Sequence, residues 1–183
     1  MADHEAVIKN GASRGPRFYG LRKGRPLRAS MKRLLNEDLP QFAFDPARLI
    51  DDQFGRKADR FLEIGFGGGE HLAGLAAAMT DCDFIGAEPF INGVASLLRH
   101  IDEQQLGNIR IWPDDVRLIM PGLGLASFAG AFIMFPDPWP KKRHAARRIL
   151  QATLLDQLAV MIRPGGRLVL ASEIGRASCR ERV

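Results

Sequence analysis

Residues 60–70 read Arg60-Phe61-Leu62-Glu63-Ile64-Gly65-Phe66-Gly67-Gly68-Gly69-Glu70, and this stretch decides the fold. Its first five residues, mostly large and apolar, predict a short buried strand over 60–64. Glycines at 65, 67, 68 and 69 follow, permitting a tight turn and close approach of the backbone to a ligand. An alanine-rich segment over 70–79 then places Leu72, Leu75 and Ala76 at helical spacing. Strand, glycine turn and helix in this order form the place where α/β sheets bind nucleotide-like ligands.

The pattern repeats outward. Residues 83–88 predict a second strand ending in Glu88, and 91–105 a helix with Val94, Leu97, Leu98 and Ile101 inward. Gly107 stops that helix, and 108–112 predicts a third strand followed by Asp114 and Asp115. A short helix or turn over 116–120 leads to a fourth strand over 130–135. The segment 149–162 carries Leu150, Leu154 and Leu158 on one face of a helix. Pro164-Gly165-Gly166 is expected to end it before a fifth strand over 167–171. Strands alternating with helices predict a doubly wound, mostly parallel α/β sheet with right-handed crossovers. Phe42, Phe44 and Phe54 are candidate packing anchors ahead of the first strand.

The glycine turn also bears on the ligand. The dinucleotide pattern G-x-G-x-x-G needs glycine at position 70, where the chain has Glu70. Glu63, two residues before the first glycine, would repel a pyrophosphate brought to the same helix N-terminus. A ligand with a cationic sulfonium and an amino group tolerates that carboxylate, which favours S-adenosylmethionine over NAD or FAD. Gly65 and Gly67 then give the backbone its close approach to the cofactor. Glu88 is placed to accept from both ribose hydroxyls, and Asp115 from the adenine amino group.

The fourth strand runs into Phe135-Pro136-Asp137-Pro138-Trp139-Pro140. Its prolines fix φ and make a stiff loop that holds a carboxylate and an indole at the strand's C-terminal edge. Such a loop suits a nucleobase. Methylation at guanine N7 removes no proton, so Asp137 would act there by stabilising the positive charge that forms. At an exocyclic amine the same carboxylate would take up a proton, and the loop alone does not choose between these targets. The run 141–148 adds five Lys or Arg side chains at the expected start of a helix, where they oppose the macrodipole. An RNA backbone is a natural counter-anion for Lys141, Arg143 and the neighbouring His144.

Charge is uneven along the chain. Nine basic side chains and no acidic one lie between Lys9 and Arg33, within a net charge of +5. Residues 1–38 are therefore read as a flexible basic arm able to neutralise nucleic-acid phosphates, with Phe18 and Tyr19 available for stacking. Residues 39–173 form the expected catalytic domain. The last ten residues, 174–183, lack helical or strand periodicity and resemble a translated sequencing adaptor, so they are read as a non-native tail. No apolar run reaches the roughly 20 residues of a membrane span, and no signal peptide is visible. Two distant cysteines suggest neither a disulfide framework nor a metal site, and a reducing cytoplasm is the expected location.

These segments together resemble the bacterial tRNA (guanine-N7-)-methyltransferases. The likeness rests on Phe18-Tyr19-Gly20-Leu21-Arg22-Lys23-Gly24, Glu63-Ile64-Gly65-Phe66-Gly67, Glu88-Pro89 and Phe135 to His144. It implies a Rossmann-like class I methyltransferase with Glu63, Glu88, Asp115 and Asp137 contacting S-adenosylmethionine. It also implies Lys141 on the RNA, and the variable-loop guanine of tRNA as substrate. Glu173 stands where the family usually has Asp and is a further candidate for contact with substrate. The family's last strands are absent, so the chain as written is expected to expose a sheet edge and to be unstable or inactive. Other readings from the residues are a different nucleic-acid methyltransferase acting on an amine, a nucleotide-dependent oxidoreductase, and a non-catalytic RNA-binding protein.

Overall fold

The computed structural model describes residues 18–172. Glu173 and the segment 174–183 lie outside the described residues, as does the first part of the basic arm.

Five strands form one parallel sheet: β1 (Arg60–Ile64), β2 (Asp83–Ala87), β3 (Ile109–Trp112), β4 (Phe128–Met134) and β5 (Ile162–Ala171). Their order is β3-β2-β1-β4-β5, so the winding reverses between β1 and β4. A crevice opens at such a switch point beyond the strands' C-terminal ends. Strand alternation divides the core into two layers. Leu62 and Ile64 of β1 join Ile85, Ala131 and Ile133 against α5 (Ala152–Met161). The opposite face carries Phe61 and Phe84, covered by α3 (Glu70–Ala78) and α4 (Ile91–Gln104).

The expected strands and helices are all present, with three informative differences. First, residues 18–38 are not a free arm. They include α1 (Ala29–Glu37), which buries Leu34 in the α3–α4 layer, and they run directly into the short helix α2 (Leu39–Phe42). Met31, Leu34 and Leu35 supply the apolar face; Lys32, Arg33 and Glu37 stay in solvent. Second, β5 begins at Ile162, five residues before the expected start. Phe128 pairs with Ile162 and Gly130 with Arg167, so the Pro164-Gly165 segment bulges out within the strand rather than ending a helix. Proline lacks an amide donor and Gly165 takes φ +81°, both of which suit a bulge. Third, the basic run forms its own 3₁₀ segment, Lys142–Arg147, separate from α5. Its cations therefore do not crowd the N-terminus of that helix.

Beneath the strands' N-terminal ends, Asp83 is fully buried and is held by Arg56 at 2.6 Å. The same guanidinium donates to the carbonyls of Thr80 and Cys82, tying the α3–β2 turn to the chain ahead of β1. Removing Arg56 leaves an uncompensated buried carboxylate, a costly outcome. Arg56→Ala should lower unfolding free energy by about 3 kcal/mol, the low end for such a loss because Arg56 is itself partly exposed. Urea denaturation measures it.

Candidate active site

At the switch point lies a cavity of about 400 Å³, a size suited to a nucleoside-like ligand. Ile64 and Gly65 from the end of β1, Glu88 from beyond β2, Asp115 from beyond β3 and Asp137 from beyond β4 all line it. The sheet thus gathers onto one edge what lies far apart in sequence.

Glu88 is the most constrained of these residues. One carboxylate oxygen accepts the Gly67 N–H at 2.8 Å and the other accepts the Phe90 N–H at 2.9 Å. The side chain therefore joins the glycine turn to the start of α4. Burial raises its pKa above the usual 4.5; the two backbone donors pull it down in part, and the nearby Asp137 charge pushes it up.

The turn itself has φ of +74°, +58° and +85° at Gly65, Gly67 and Gly69, the left-handed region that glycine tolerates. A Cβ at Gly65 or Gly67 would meet open space, so these two positions leave room on the cavity side. Three of the turn's amides are spent internally: Gly65 N–H on the Ala87 carbonyl, Gly67 on Glu88 and Gly69 on the Phe66 carbonyl. An anion cradle needs such donors aimed at the ligand. Here they are turned inward, with a carboxylate among their acceptors.

Glu63 does not line the cavity. Alternation along β1 turns it to the α3 face, where it is 1% exposed and its carboxylate meets His71 Nδ1 at 2.9 Å. Burial raises its pKa and the His71 hydrogen bond partly offsets the rise. The repulsion of a diphosphate expected from Glu63 falls instead to Glu88 and Asp137. His71 is the partner that accommodates this buried acid. Asp115 does line the cavity, but its oxygens accept from Arg117 Nε at 2.9 Å and from Arg117 Nη2 at 2.5 Å. It also caps the 3₁₀ segment Val116–Leu118 by accepting the Arg117 N–H.

The proline loop carries φ of +50° at Phe135 and +38° at Trp139, strained values for non-glycine residues. Asp137 is exposed between them and faces the cavity. Arg148 donates through Nε and Nη2 to the Trp139 carbonyl, holding the loop's far end. Lys141, Arg143 and His144 sit on the outer rim rather than in the cavity wall, and His144 packs edge-on against Trp139.

A further wall comes from the stretch read as arm. Phe18, Tyr19, Gly20 and Leu21 cover one side of the cavity. Ile91 N–H donates to the Arg22 carbonyl, Gly24 N–H to Asn92 Oδ1, and Asn92 Nδ2 to the Arg25 carbonyl. Arg22 also pairs with Asp114 at 2.8 Å. Strand and helix periodicity could not reveal this strap, because it is held by isolated hydrogen bonds to Ile91 and Asn92 and by the Arg22–Asp114 ion pair. Among the described residues no group of three His, Cys, Asp or Glu side chains could hold a metal ion. None of the described helices is long and apolar enough to cross a membrane.

The fold is the Rossmann-like one of solved methyltransferases. The antibiotic-resistance methyltransferase Kmr superposes with a TM-score of 0.53 at 19% identity, covering 77% of this chain and 73% of its own. The 16S rRNA (adenine(1408)-N(1))-methyltransferase of Catenulisporales acidiphilia superposes with a TM-score of 0.52 at 16% identity, over 69% and 62%. A sequence profile of the family described as "Putative methyltransferase" matches residues 57–178, a span that ends inside the segment read as a non-native tail. The tRNA (guanine-N(7)-)-methyltransferase of Rhodospirillum rubrum is 47% identical over 165 residues, 86% of this chain and 65% of the relative. The enzyme of the same name from Paramagnetospirillum magneticum is 44% identical over 174 residues, 90% of this chain and 72% of the relative. The chain belongs to the tRNA (guanine-N(7)-)-methyltransferase family. It spans about two thirds of the length of these relatives.

Gly93 in the first turn of α4 has a specific purpose that its sequence context hides. A Cβ there would lie 2.1 Å from the Gly67 carbonyl oxygen. Gly93→Ala should therefore force the glycine turn and α4 apart and cost about 1–3 kcal/mol of stability. Its denaturation midpoint should fall well below that of Gly74→Ala, where a Cβ meets open space.

Proposed function

We propose that this chain transfers a methyl group from S-adenosylmethionine to N7 of a guanine in the variable loop of tRNA. The observation that carries the cofactor half of this reading is the inward spending of the Gly65, Gly67 and Gly69 amides, with Glu88 and Asp137 offering acceptors at the cavity instead. Family membership carries the substrate half.

Bound there, S-adenosylmethionine supplies an electrophilic methyl group on a cationic sulfur. Gly65 and Gly67 leave space for its adenosine and methionine parts. Glu88 would accept from the ribose hydroxyls with the lone pairs not taken by Gly67 and Phe90. Asp115, fixed in orientation by Arg117, would accept from the adenine amino group. Glu63 acts through His71 and the shape of the turn, not by direct contact.

Guanine N7 presents an in-plane lone pair, so the reaction needs no base to remove a proton. Catalysis reduces to alignment and to stabilising the charge that passes to the purine. Asp137, on a loop whose prolines restrict its backbone, supplies that negative charge. Lys141, Arg143 and His144 on the rim meet tRNA phosphates. Glu173, which lies outside the described residues, is assigned to the substrate on the family resemblance alone. The proposed chemistry needs no metal, and the cytoplasm is the compartment where the substrate is made.

The decisive assay incubates the protein with unmodified tRNA and methyl-labelled cofactor. Label released by chain cleavage with borohydride and aniline identifies 7-methylguanosine; label retained in an alkali-stable methylated amine overturns the assignment. Asp137→Ala should lower kcat by about 100-fold, as the loss of one preorganised electrostatic contact does.

Glu88 gives a pH signature. Its ionised form is the better acceptor, and its pKa lies above the usual 4.5. Affinity for S-adenosylhomocysteine should therefore fall as pH drops, beginning at a higher pH than an ordinary glutamate would set. Glu88→Gln should bind more weakly at neutral pH and lose that dependence. Calorimetric titration across pH distinguishes the two curves.

A further inference from the structure

Arg147 occupies an unusual place in the cavity wall. Its guanidinium carbon lies over the Tyr19 ring at 5.4 Å from the centroid and over the Trp139 ring at 4.9 Å. Tyr19, Trp139 and Arg147 all line the cavity that Asp137 also faces. Among the described residues Arg147 forms no ion pair, so this planar cation is held by aromatic faces rather than by an acid. Anchoring of the loop falls to the next residue, Arg148, through the Trp139 carbonyl. Arg147 is thus available to leave.

We infer that Tyr19 and Trp139 form an aromatic clamp for the target guanine, selective for its methylated, cationic form, and that Arg147 fills the clamp until RNA arrives. The inference rests on the proposed guanine-N7 reaction.

The chemistry matches on both sides. Guanine contains an N–C–N guanidine unit within a flat ring, so it shares shape and donor layout with the side chain it would displace. In the reaction the N7 lone pair forms the bond to the methyl carbon as the carbon–sulfur bond breaks, its electron pair remaining on sulfur. No proton moves, and one positive charge passes to the purine. Two electron-rich ring faces then hold a cation where they previously held a neutral base. Cation–π attraction therefore grows along the reaction and favours the transition state over the bound substrate. The displaced Arg147, on the same 3₁₀ segment as Lys142 and Arg143, is released toward the RNA backbone.

The clamp makes a prediction that a phosphate-binding rim does not. Nucleosides without phosphate separate the two, so the probes are 7-methylguanosine and guanosine at mildly acidic pH, where the methylated ring keeps its charge. Ligand-observed NMR titrations with S-adenosylhomocysteine present should show 7-methylguanosine held about tenfold more tightly than guanosine. Tyr19→Leu and Trp139→Leu should each reduce that preference severalfold at saturating S-adenosylhomocysteine. Trp139→Phe, which keeps a ring, should preserve most of it and guards against misfolding as the cause. Arg147→Ala should tighten 7-methylguanosine, because the competing occupant is gone.

Equal affinity for the two nucleosides overturns the clamp, as does a preference that survives both leucine variants. Weaker binding in Arg147→Ala overturns the stand-in role. A protein that shows the preference yet transfers no methyl to tRNA supports the clamp and sinks the proposed activity. Methyl transfer without the preference does the reverse.

Discussion

The Glu88 carboxylate is the constraint on which the site depends. It is nearly buried, yet it neutralises two backbone donors from separate elements, the glycine turn and the entrance to α4. Without it the Gly67 and Phe90 amides would need other acceptors, and the turn would be free to present an N–H to a bound anion. With it, the region around the turn is an acceptor. That reversal of polarity separates this cavity from the phosphate cradles built on a similar strand–turn–helix frame. Gly93 makes the arrangement possible by letting α4 approach the Gly67 carbonyl, and the raised pKa of Glu88 is the electrostatic cost of the arrangement.

Much of this frame was legible in the sequence because it is periodic. The five strands, the helices between them and the acids at the strand ends follow from apolar spacing and glycine placement. The order of strands also puts Glu88, Asp115 and Asp137 on one edge. What escaped was settled by facing rather than by pattern. Glu63 belongs to a strand buried on both sides, so its position in the motif does not say which layer it enters; alternation takes it to His71. Arg117 could not be foreseen as the partner of Asp115, because two residues apart in an irregular turn carries no fixed geometry.

The stretch read as arm failed for a different reason. Lys32 and Arg33 hide a three-residue apolar face that is too short to give a periodic signal, although Leu34 ends in the core. The preceding strap has no repeating pattern at all, since hydrogen bonds from Ile91 and Asn92 fix its course. The bulge in β5 shows the opposite error: Pro164 and Gly165 were read as a stop, while the sheet absorbs them between two pairs in register. Local breakers end an element only when no neighbour is present to hold it.

The strap's manner of attachment sets how the cavity exchanges its contents. Residues 18–25 close one wall, yet they are secured by hydrogen bonds to the start of α4, the Arg22–Asp114 ion pair and the contact of Arg147 with Tyr19, and contribute nothing to either buried cluster. Segments tied in this way detach at a small fraction of the free energy of global unfolding. Opening of that wall is thus set by these peripheral contacts, the Asn92 amide among them, whereas melting temperature is set by the sheet and the helices covering it. Loosening that one amide should speed departure from the pocket while leaving the heat resistance of the molecule nearly untouched.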